Sequence, residues 1–167
     1  MLQPQSLGQD FSNWTYRGVT ELSRDVVIFD VDGVLSDASA RQHFIRRSRP
    51  DWEAFFGACD EDPLIDDAAA LLSVIEPSCS VVLLTGRPLS VREKTLNWIG
   101  RHELRWDLLV MRNWGDYSAA RTFKRCEIAK LRAKGLEPKI SFEDDPRNVT
   151  MLKAQGVPCV YLHSGYY

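Results

Sequence analysis

The regular alternation of short apolar runs with helix signals constrains the fold of this chain more than any other feature. Runs rich in β-branched residues predict five strands, at 25–30, 80–85, 106–111, 138–143 and 159–163. Segments with helix-start or helix-stop residues predict helices between them, at 63–76, 90–102, 121–135 and 146–156. We expect Ser90 to cap the second helix, and Gly135 and Gly156 to end the third and fourth. This order predicts an α/β fold with a parallel five-stranded sheet flanked by helices.

Polar residues gather where three of these strands end. The strands themselves are continuous apolar runs, which is typical of burial on both faces. In such a sheet the ligand site lies beyond the carboxyl ends of the strands. We therefore expect one site at this edge, formed by Asp30 and Asp32, by Thr85, Gly86 and Arg87, and by Glu143, Asp144 and Asp145.

Several carboxylates that converge on one site repel each other unless a cation lies between them. Oxygen ligands in a compact site suit Mg²⁺, which favours phosphate-bearing substrates. Thr85 and Gly86 offer a hydroxyl and a backbone N–H to an oxyanion, and Arg87 offers a fork of donors. This set of groups indicates phosphoryl transfer, in which an aspartate can act as the nucleophile.

Length and composition limit the other classes of function. A chain of 167 residues fits one domain, and a net charge of −2 predicts no bulk attraction to nucleic acid or membrane. No apolar run is long enough to span a membrane, and the first residues lack the pattern of a signal peptide. The four cysteines form no C-x-x-C pair, so we expect reduced thiols and a cytoplasmic protein.

Four segments in order resemble the motifs of the haloacid dehalogenase (HAD) superfamily. They are "FDVDGVLSD", "LLTGRP", "TFKRCEI" with Lys124, and "SFEDDPRNV". The resemblance implies that Asp30 is the nucleophile that takes the phosphoryl group. It implies that Asp32 is the general acid and base, and we expect neighbouring acids to raise its pKa. Thr85 and Lys124 would hold the phosphoryl oxygens.

The resemblance also implies a Mg²⁺ site. Asp144 would bind the ion together with Asp30 and the backbone carbonyl of Asp32. Asp145 or Glu143 would support it, and the sequence leaves open which of the two does so. We expect residues 1–23 to form an N-terminal arm and residues 24–167 to form the HAD-like domain.

Other details are similar to the phosphatase domain of phage-type polynucleotide kinase/phosphatase. They include Arg87, a "GDY" nine residues before Lys124, and the ending "GVPCVYLHSGYY". That family removes 3′-phosphates from nucleic-acid ends. The sequence departs from the family in two ways, since no P-loop precedes the domain and residues 117–123 lack the expected acids.

An insertion at about 36–62 follows the first strand. It is too short for a separate cap domain, so we expect a minimal cap. Basic and aromatic residues mix there, which suits phosphate contacts and base stacking, with Arg46 and Arg47 as candidate substrate contacts. The alternative is a surface segment packed by its own aromatic residues, with solvated arginines.

These observations predict a Mg²⁺-dependent phosphomonoesterase that works through an aspartyl-phosphate. The expected substrate is a 3′-phosphate of a nucleic-acid end or a nucleotide. A phosphatase of a small metabolite and a non-catalytic binding module are the alternatives. The sequence indicates no membrane contact and no obligate protein partner.

Overall fold

The computed structural model describes residues 10–18 and 21–167. These residues form an α/β fold around a six-stranded sheet with the order β1-β4-β3-β2-β5-β6. The strands are β1 (Trp14–Tyr16), β2 (Asp25–Phe29), β3 (Ser80–Pro88), β4 (Leu108–Arg112), β5 (Glu137–Glu143) and β6 (Cys159–Tyr161). All neighbouring strands are parallel except β1 and β4, which are antiparallel.

Five α-helices connect or follow the strands. They are α1 (Trp52–Gly57), α2 (Asp66–Ser73), α3 (Arg92–Arg101), α4 (Ala120–Ala133) and α5 (Pro146–Ala154). Two 3-10 helices, Ala38–Phe44 and Leu89–Val91, precede α1 and α3. The predicted alternation of strands and helices is therefore confirmed.

The sheet has one strand more than the five predicted. The additional strand, β1, lies in the segment that was expected to form an arm, and it pairs with the edge of β4. Trp14 anchors it, because its indole Nε1 donates a hydrogen bond of 2.7 Å to Glu127 Oε2 in α4. A three-residue strand is too short to produce a hydrophobic pattern, so the sequence did not reveal it.

Helix boundaries follow the predicted signals at two ends and depart from them at two others. Gly135 and Gly156 follow α4 and α5 with φ angles of +80° and +73°, which glycine adopts without strain. Ser90 does not cap α3, because it lies inside a 3-10 helix and Val91 occupies the cap position. The first predicted helix is shorter than expected and covers only Asp66–Ser73.

The central strand β2 divides the core into two layers. Val27 and Phe29 face one apolar cluster, whereas Val26 and Ile28 face the other. Successive side chains of a strand point to opposite faces, so helices must cover both sides of this sheet. Because β2 is packed on both faces, its end is held in place, and so are the residues that follow it.

The insertion at 36–62, which we call the flap, contains the first 3-10 helix and α1. Its two ends are joined at the base. Asp37 N donates to Pro63 O at 2.9 Å, and Ile65 N donates to Leu35 O at 2.8 Å. The flap therefore leaves the sheet edge and returns to it at nearly the same point.

Within residues 10–18 and 21–167, no helix combines the length and apolar character needed to cross a bilayer. All four cysteines are free thiols.

Candidate active site

A sharp turn after β2 presents the first two aspartates. Asp30 N still bonds Phe142 O of β5 at 3.0 Å, so Asp30 is held at the very edge of the sheet. The chain then turns, and Leu35 N and Ser36 N both bond Val31 O at 2.9 Å. The Asp30 carboxylate is oriented by Val31 N, which donates to its Oδ1 at 2.8 Å.

Asp30 shares a buried cation with Glu143. Lys124 Nζ lies 2.8 Å from Asp30 Oδ2 and 2.6 Å from Glu143 Oε2. Burial disfavours the ammonium form, but the two carboxylates outweigh it and raise the pKa of Lys124. Burial and the charge of Glu143 raise the pKa of Asp30, against the opposing effect of Lys124. Lys124 therefore remains charged beside the candidate nucleophile, as its predicted role requires.

The two carboxylates that contact Lys124 also form, together with Asp144, a cluster with the character of a cation site. Asp30, Glu143 and Asp144 each place a carboxylate oxygen within 4.8 Å of the others. Asp144 Oδ2 is buried and has no hydrogen-bond partner among the described residues. Burial raises the pKa of Asp144 to about 7. A buried carboxylate oxygen without a partner is costly, and a bound hard cation would satisfy it.

Gly33 makes room for this cluster. A Cβ at position 33 would lie 2.0 Å from Asp144 Oδ2, and the φ angle of Gly33 is +81°. Both the backbone conformation and the close approach therefore require glycine. Gly33, in the first motif, thus leaves the space that the Asp144 carboxylate after β5 occupies.

Asp145, predicted as a metal ligand, lies outside the cluster. Its carboxylate accepts from Arg147 N at 2.8 Å at the start of α5, and it also pairs with the Arg147 guanidinium at 2.9 Å. Glu143 instead points into the cluster and accepts hydrogen bonds from Asp144 N and Asp145 N at 3.0 and 3.1 Å. Of the two candidates for supporting Asp144, the structure therefore brings only Glu143 to it.

Two arginines hold the Asp32 carboxylate. Arg87 Nη2 lies 2.7 Å and Arg41 Nη2 lies 2.5 Å from Asp32 Oδ1. Burial would raise the pKa of Asp32, but Arg87 and Arg41 together outweigh burial and lower it. The expectation of a raised pKa is therefore wrong for the free protein, because the nearest charges are positive.

Arg41 and Asp62 are site residues that the sequence did not single out. Arg41 is 2% exposed, and its Nη2 also lies 2.6 Å from Asp62 Oδ2. Ser36 Oγ donates to the same Asp62 oxygen and accepts from Arg87 Nη2 at 2.9 Å. Nothing in the sequence distinguishes Arg41 from the solvated arginines of the flap. Asp62 thus acts as the buried counter-ion that orients the two arginines.

The second motif places its residues beside these arginines. Thr85 is buried within β3, three residues before the strand ends, and its Oγ1 accepts from Arg87 N at 3.2 Å. A Cβ at Gly86 would lie 3.8 Å from Arg112 Nη2, so Arg112 borders this last part of β3. Arg46 and Arg47 are exposed on the flap and are not part of this buried network.

The complete arrangement joins an oriented carboxylate, a buried ammonium, two arginines and a cation-type cluster. Such a site can bind a phosphate ester and transfer its phosphoryl group, because oriented positive groups surround one nucleophile. A second carboxylate, Asp32, contacts both arginines, so a phosphate bound by the arginines would lie beside it.

Comparison with protein families agrees with this geometry. The profile described as "Polynucleotide kinase PNKP phosphatase domain" matches residues 24–167. A comparison with curated protein sequences found no significant match.

Three solved structures illustrate the similarity. The structure of the Pnkp1/Rnl/Hen1 RNA repair complex matches 95% of this chain with 25% identity and a TM-score of 0.71. A structure of the Pnkp1/Rnl/Hen1 complex matches 100% with 24% identity and a TM-score of 0.73. This chain spans only 48% and 58% of those two chains.

The third structure is a HAD-superfamily hydrolase, subfamily IA, from Geobacter sulfurreducens PCA. It matches 84% of this chain and 87% of its own with 13% identity and a TM-score of 0.57. At that identity the likeness concerns the fold.

Proposed function

The chain belongs to the family of polynucleotide kinase PNKP phosphatase domains, and from this premise we propose that it removes 3′-phosphates from nucleic-acid ends or nucleotides. It is a HAD-type phosphatase, and the proposal concerns its substrate, its intermediate and its metal. One observation carries the proposal. The Asp30 carboxylate is held by Lys124 next to Asp32, which lies between Arg87 and Arg41.

The reaction would take place in two steps. In the first, an Asp30 oxygen attacks phosphorus, the bond to the ester oxygen breaks, and Asp32 gives that oxygen a proton. In the second, Asp32 takes a proton from water, which attacks the phosphoryl group and releases phosphate from Asp30. Lys124 would hold a phosphoryl oxygen throughout, in the place where it now pairs with Asp30.

We expect Asp32 to become protonated when the substrate binds. In the free protein Arg87 and Arg41 keep the pKa of Asp32 low. A phosphate dianion that binds beside these arginines shares their charge and adds its own, and both effects favour the protonated acid. The arginines thus couple substrate binding to the protonation of Asp32.

Mg²⁺ would be held by the side chains of Asp30 and Asp144 and the backbone carbonyl of Asp32, with Glu143 in support. The buried, unpartnered Oδ2 of Asp144 and the space left by Gly33 fit such an ion. When bound, Mg²⁺ supplies positive charge that stabilises the phosphoryl oxygens.

Several features favour a nucleic-acid end over a small metabolite. The matched family consists of polynucleotide kinase phosphatase domains, and one structural relative is described as an RNA repair complex. RNA ends are therefore among the substrates that we propose. The flap also presents exposed arginines, among them Arg46 and Arg47, beside Phe44 and the half-exposed Trp52.

Asp32→Asn is expected to slow turnover of a 3′-phosphorylated oligonucleotide by about 10²–10⁴-fold, the range for loss of a general acid. The loss should be smaller for an activated aryl phosphate, whose leaving group departs without a proton. Steady-state kinetics with both substrates measures the difference. Equal losses would show that Asp32 acts only by holding Arg87 and Arg41.

Arg46→Ala with Arg47→Ala tests the substrate directly. If both arginines contact phosphates beyond the one removed, KM for a 3′-phosphorylated oligonucleotide should rise while an aryl phosphate is hydrolysed as before. The slope of log affinity against log salt should fall by about 1 for each phosphate that the variant no longer binds. Turnover of the oligonucleotide, measured over a range of salt concentrations, gives both quantities.

The matched control is Arg17→Ala with Arg24→Ala. These arginines are equally exposed but lie at the opposite edge of the sheet, after β1 and before β2. Their replacement by alanine removes the same charge as the flap variant and leaves the flap unchanged. If wild-type protein turns over small phosphate esters as efficiently as oligonucleotides, the proposed substrate is wrong and the small-metabolite alternative replaces it.

A further inference from the structure

The two most exposed aromatic side chains among the described residues lie on one short loop. Trp114 is 78% exposed and Tyr117 is 90% exposed. Neither side chain belongs to the two apolar clusters of the core. Two exposed aromatic rings three positions apart on one loop form a surface that can bind a flat partner, because their exposed faces are free to stack.

Three features place this loop near the active site. It follows β4, so it starts at the same carboxyl edge as Asp30. It ends where α4 begins, and α4 carries Lys124 in its second turn. Arg112, the last residue of β4 before the loop, lies near the second motif, since its Nη2 would be 3.8 Å from a Cβ built at Gly86. A molecule bound at Asp30 can therefore continue across this loop.

Hydrogen bonds hold the loop in shape. Arg112 Nη1 donates to Ser118 O at 2.5 Å and to Asp116 O at 3.3 Å. Asp116 Oδ1 accepts from Ser118 N at 2.9 Å, which closes the turn after Gly115. Trp114 and Tyr117 thus project from an anchored backbone, and stacking on them loses little backbone entropy.

The start of α4 adds a place for negative charge. This helix has 14 residues, no acidic residue in its first turn and no side-chain cap at Ala119. Arg121 is exposed in that turn. The dipole and unpaired N–H groups of a helix start favour an anion, and Arg121 reinforces them. Aromatic rings beside positive charge are complementary to single-stranded nucleic acid.

We propose that the loop from Asn113 to Ser118 and the first turn of α4 bind the nucleotides that precede the terminal phosphate. Unpaired bases stack on Trp114 and Tyr117, and a backbone phosphate lies at Arg121. This inference rests on the proposed function and adds a second contact region, separate from the flap. It makes the protein selective for an unpaired 3′ end several nucleotides long.

The test uses Trp114→Ala with Tyr117→Ala and three substrates: an aryl phosphate, a nucleoside 3′-phosphate and a single-stranded 3′-phosphorylated hexanucleotide. KM for the hexanucleotide should rise by about tenfold or more, given the usual strength of base stacking. The values for the two smaller substrates should stay within about twofold of wild type, since they do not reach the loop. Trp114→Phe with Tyr117→Phe keeps the rings and should behave as wild type.

Tyr161→Ala is the matched control, because Tyr161 is a 42% exposed tyrosine on β6, on the far side of the sheet from β4. Unchanged hexanucleotide kinetics in the double alanine variant, with the wild type still preferring the hexanucleotide, would overturn the proposed surface alone. A wild type that turns over the nucleoside 3′-phosphate as efficiently as the hexanucleotide would also overturn this surface alone. One that prefers neither of them to the aryl phosphate would overturn the proposed function as well.

Discussion

Asp30→Asn is expected to reduce phosphatase turnover by at least about a thousandfold, as removal of a catalytic nucleophile does in other enzymes. Asparagine keeps the shape of the side chain but lacks the charge that attacks phosphorus. The fold should persist, because Lys124 keeps its 2.6 Å ion pair with Glu143. Single-turnover kinetics with a labelled substrate, quenched in acid, would measure both the product and the phosphorylated protein.

Asp25→Asn provides the control for this experiment. Asp25 lies at the opposite end of the same strand and pairs with Lys139 at 3.2 Å on the surface. It should keep full turnover and should still yield the phosphorylated protein. A cleanly purified Asp30→Asn protein that remains active would remove Asp30 as the nucleophile.

Chelation of divalent cations is expected to abolish turnover, and added Mg²⁺ should restore it. Without the ion, carboxylate oxygens of Asp30, Glu143 and Asp144 lie within 4.8 Å of one another, and among the described residues Lys124 alone forms ion pairs with this group. Asp144→Asn should therefore need a higher Mg²⁺ concentration for half-maximal rescue. The Mg²⁺-dependent rise in melting temperature reports binding independently of activity.

Asp145→Asn distinguishes the neighbouring carboxylates in the same titration. Asparagine also caps helices, so Asp145→Asn should keep the hydrogen bond from Arg147 N and lose mainly the ion pair with the exposed Arg147 guanidinium. Stability should therefore change little, and the Mg²⁺ requirement should shift less than in Asp144→Asn. An equal shift in both variants would return Asp145 to the metal site. Full activity in the presence of chelator would exclude the metal from the reaction.

The parts of the fold that the sequence predicted depend on local patterns. The apolar strands at 25–30 and 80–85 and the glycines after α4 and α5 are signals that a few adjacent residues carry. Strand β1 depends on a partner almost a hundred residues away, since Trp14 pairs with Val110. Three residues cannot encode that pairing in their own periodicity.

The site was predictable to the same extent. Topology brings the carboxyl ends of β2, β3 and β5 together, so Asp30, Thr85 and Asp144 were expected near each other. Lys124 lies on α4 and was expected there only from the resemblance to the HAD motifs. The burial of Arg41 and the orientation of Asp145 depend on contacts formed only after the flap and α5 have folded. The pKa of Asp32 was wrongly expected to rise, because the prediction considered the neighbouring acids and not the arginines, Arg87 and Arg41, that contact its carboxylate.

The hydrogen-bonded base of the flap separates residues that can vary from residues that the site requires. Its two ends meet, so a change in the length of the segment between them carries only a small entropic penalty. Arg41 and Asp62 lie near those ends and belong to the catalytic network, whereas Arg46, Arg47 and Trp52 lie between them. The exposed tip of the flap can thus change in length or sequence without disturbing the network beneath it. The part that includes Phe55 cannot, because its carbonyl oxygen accepts from Arg41 Nη1 at 3.1 Å.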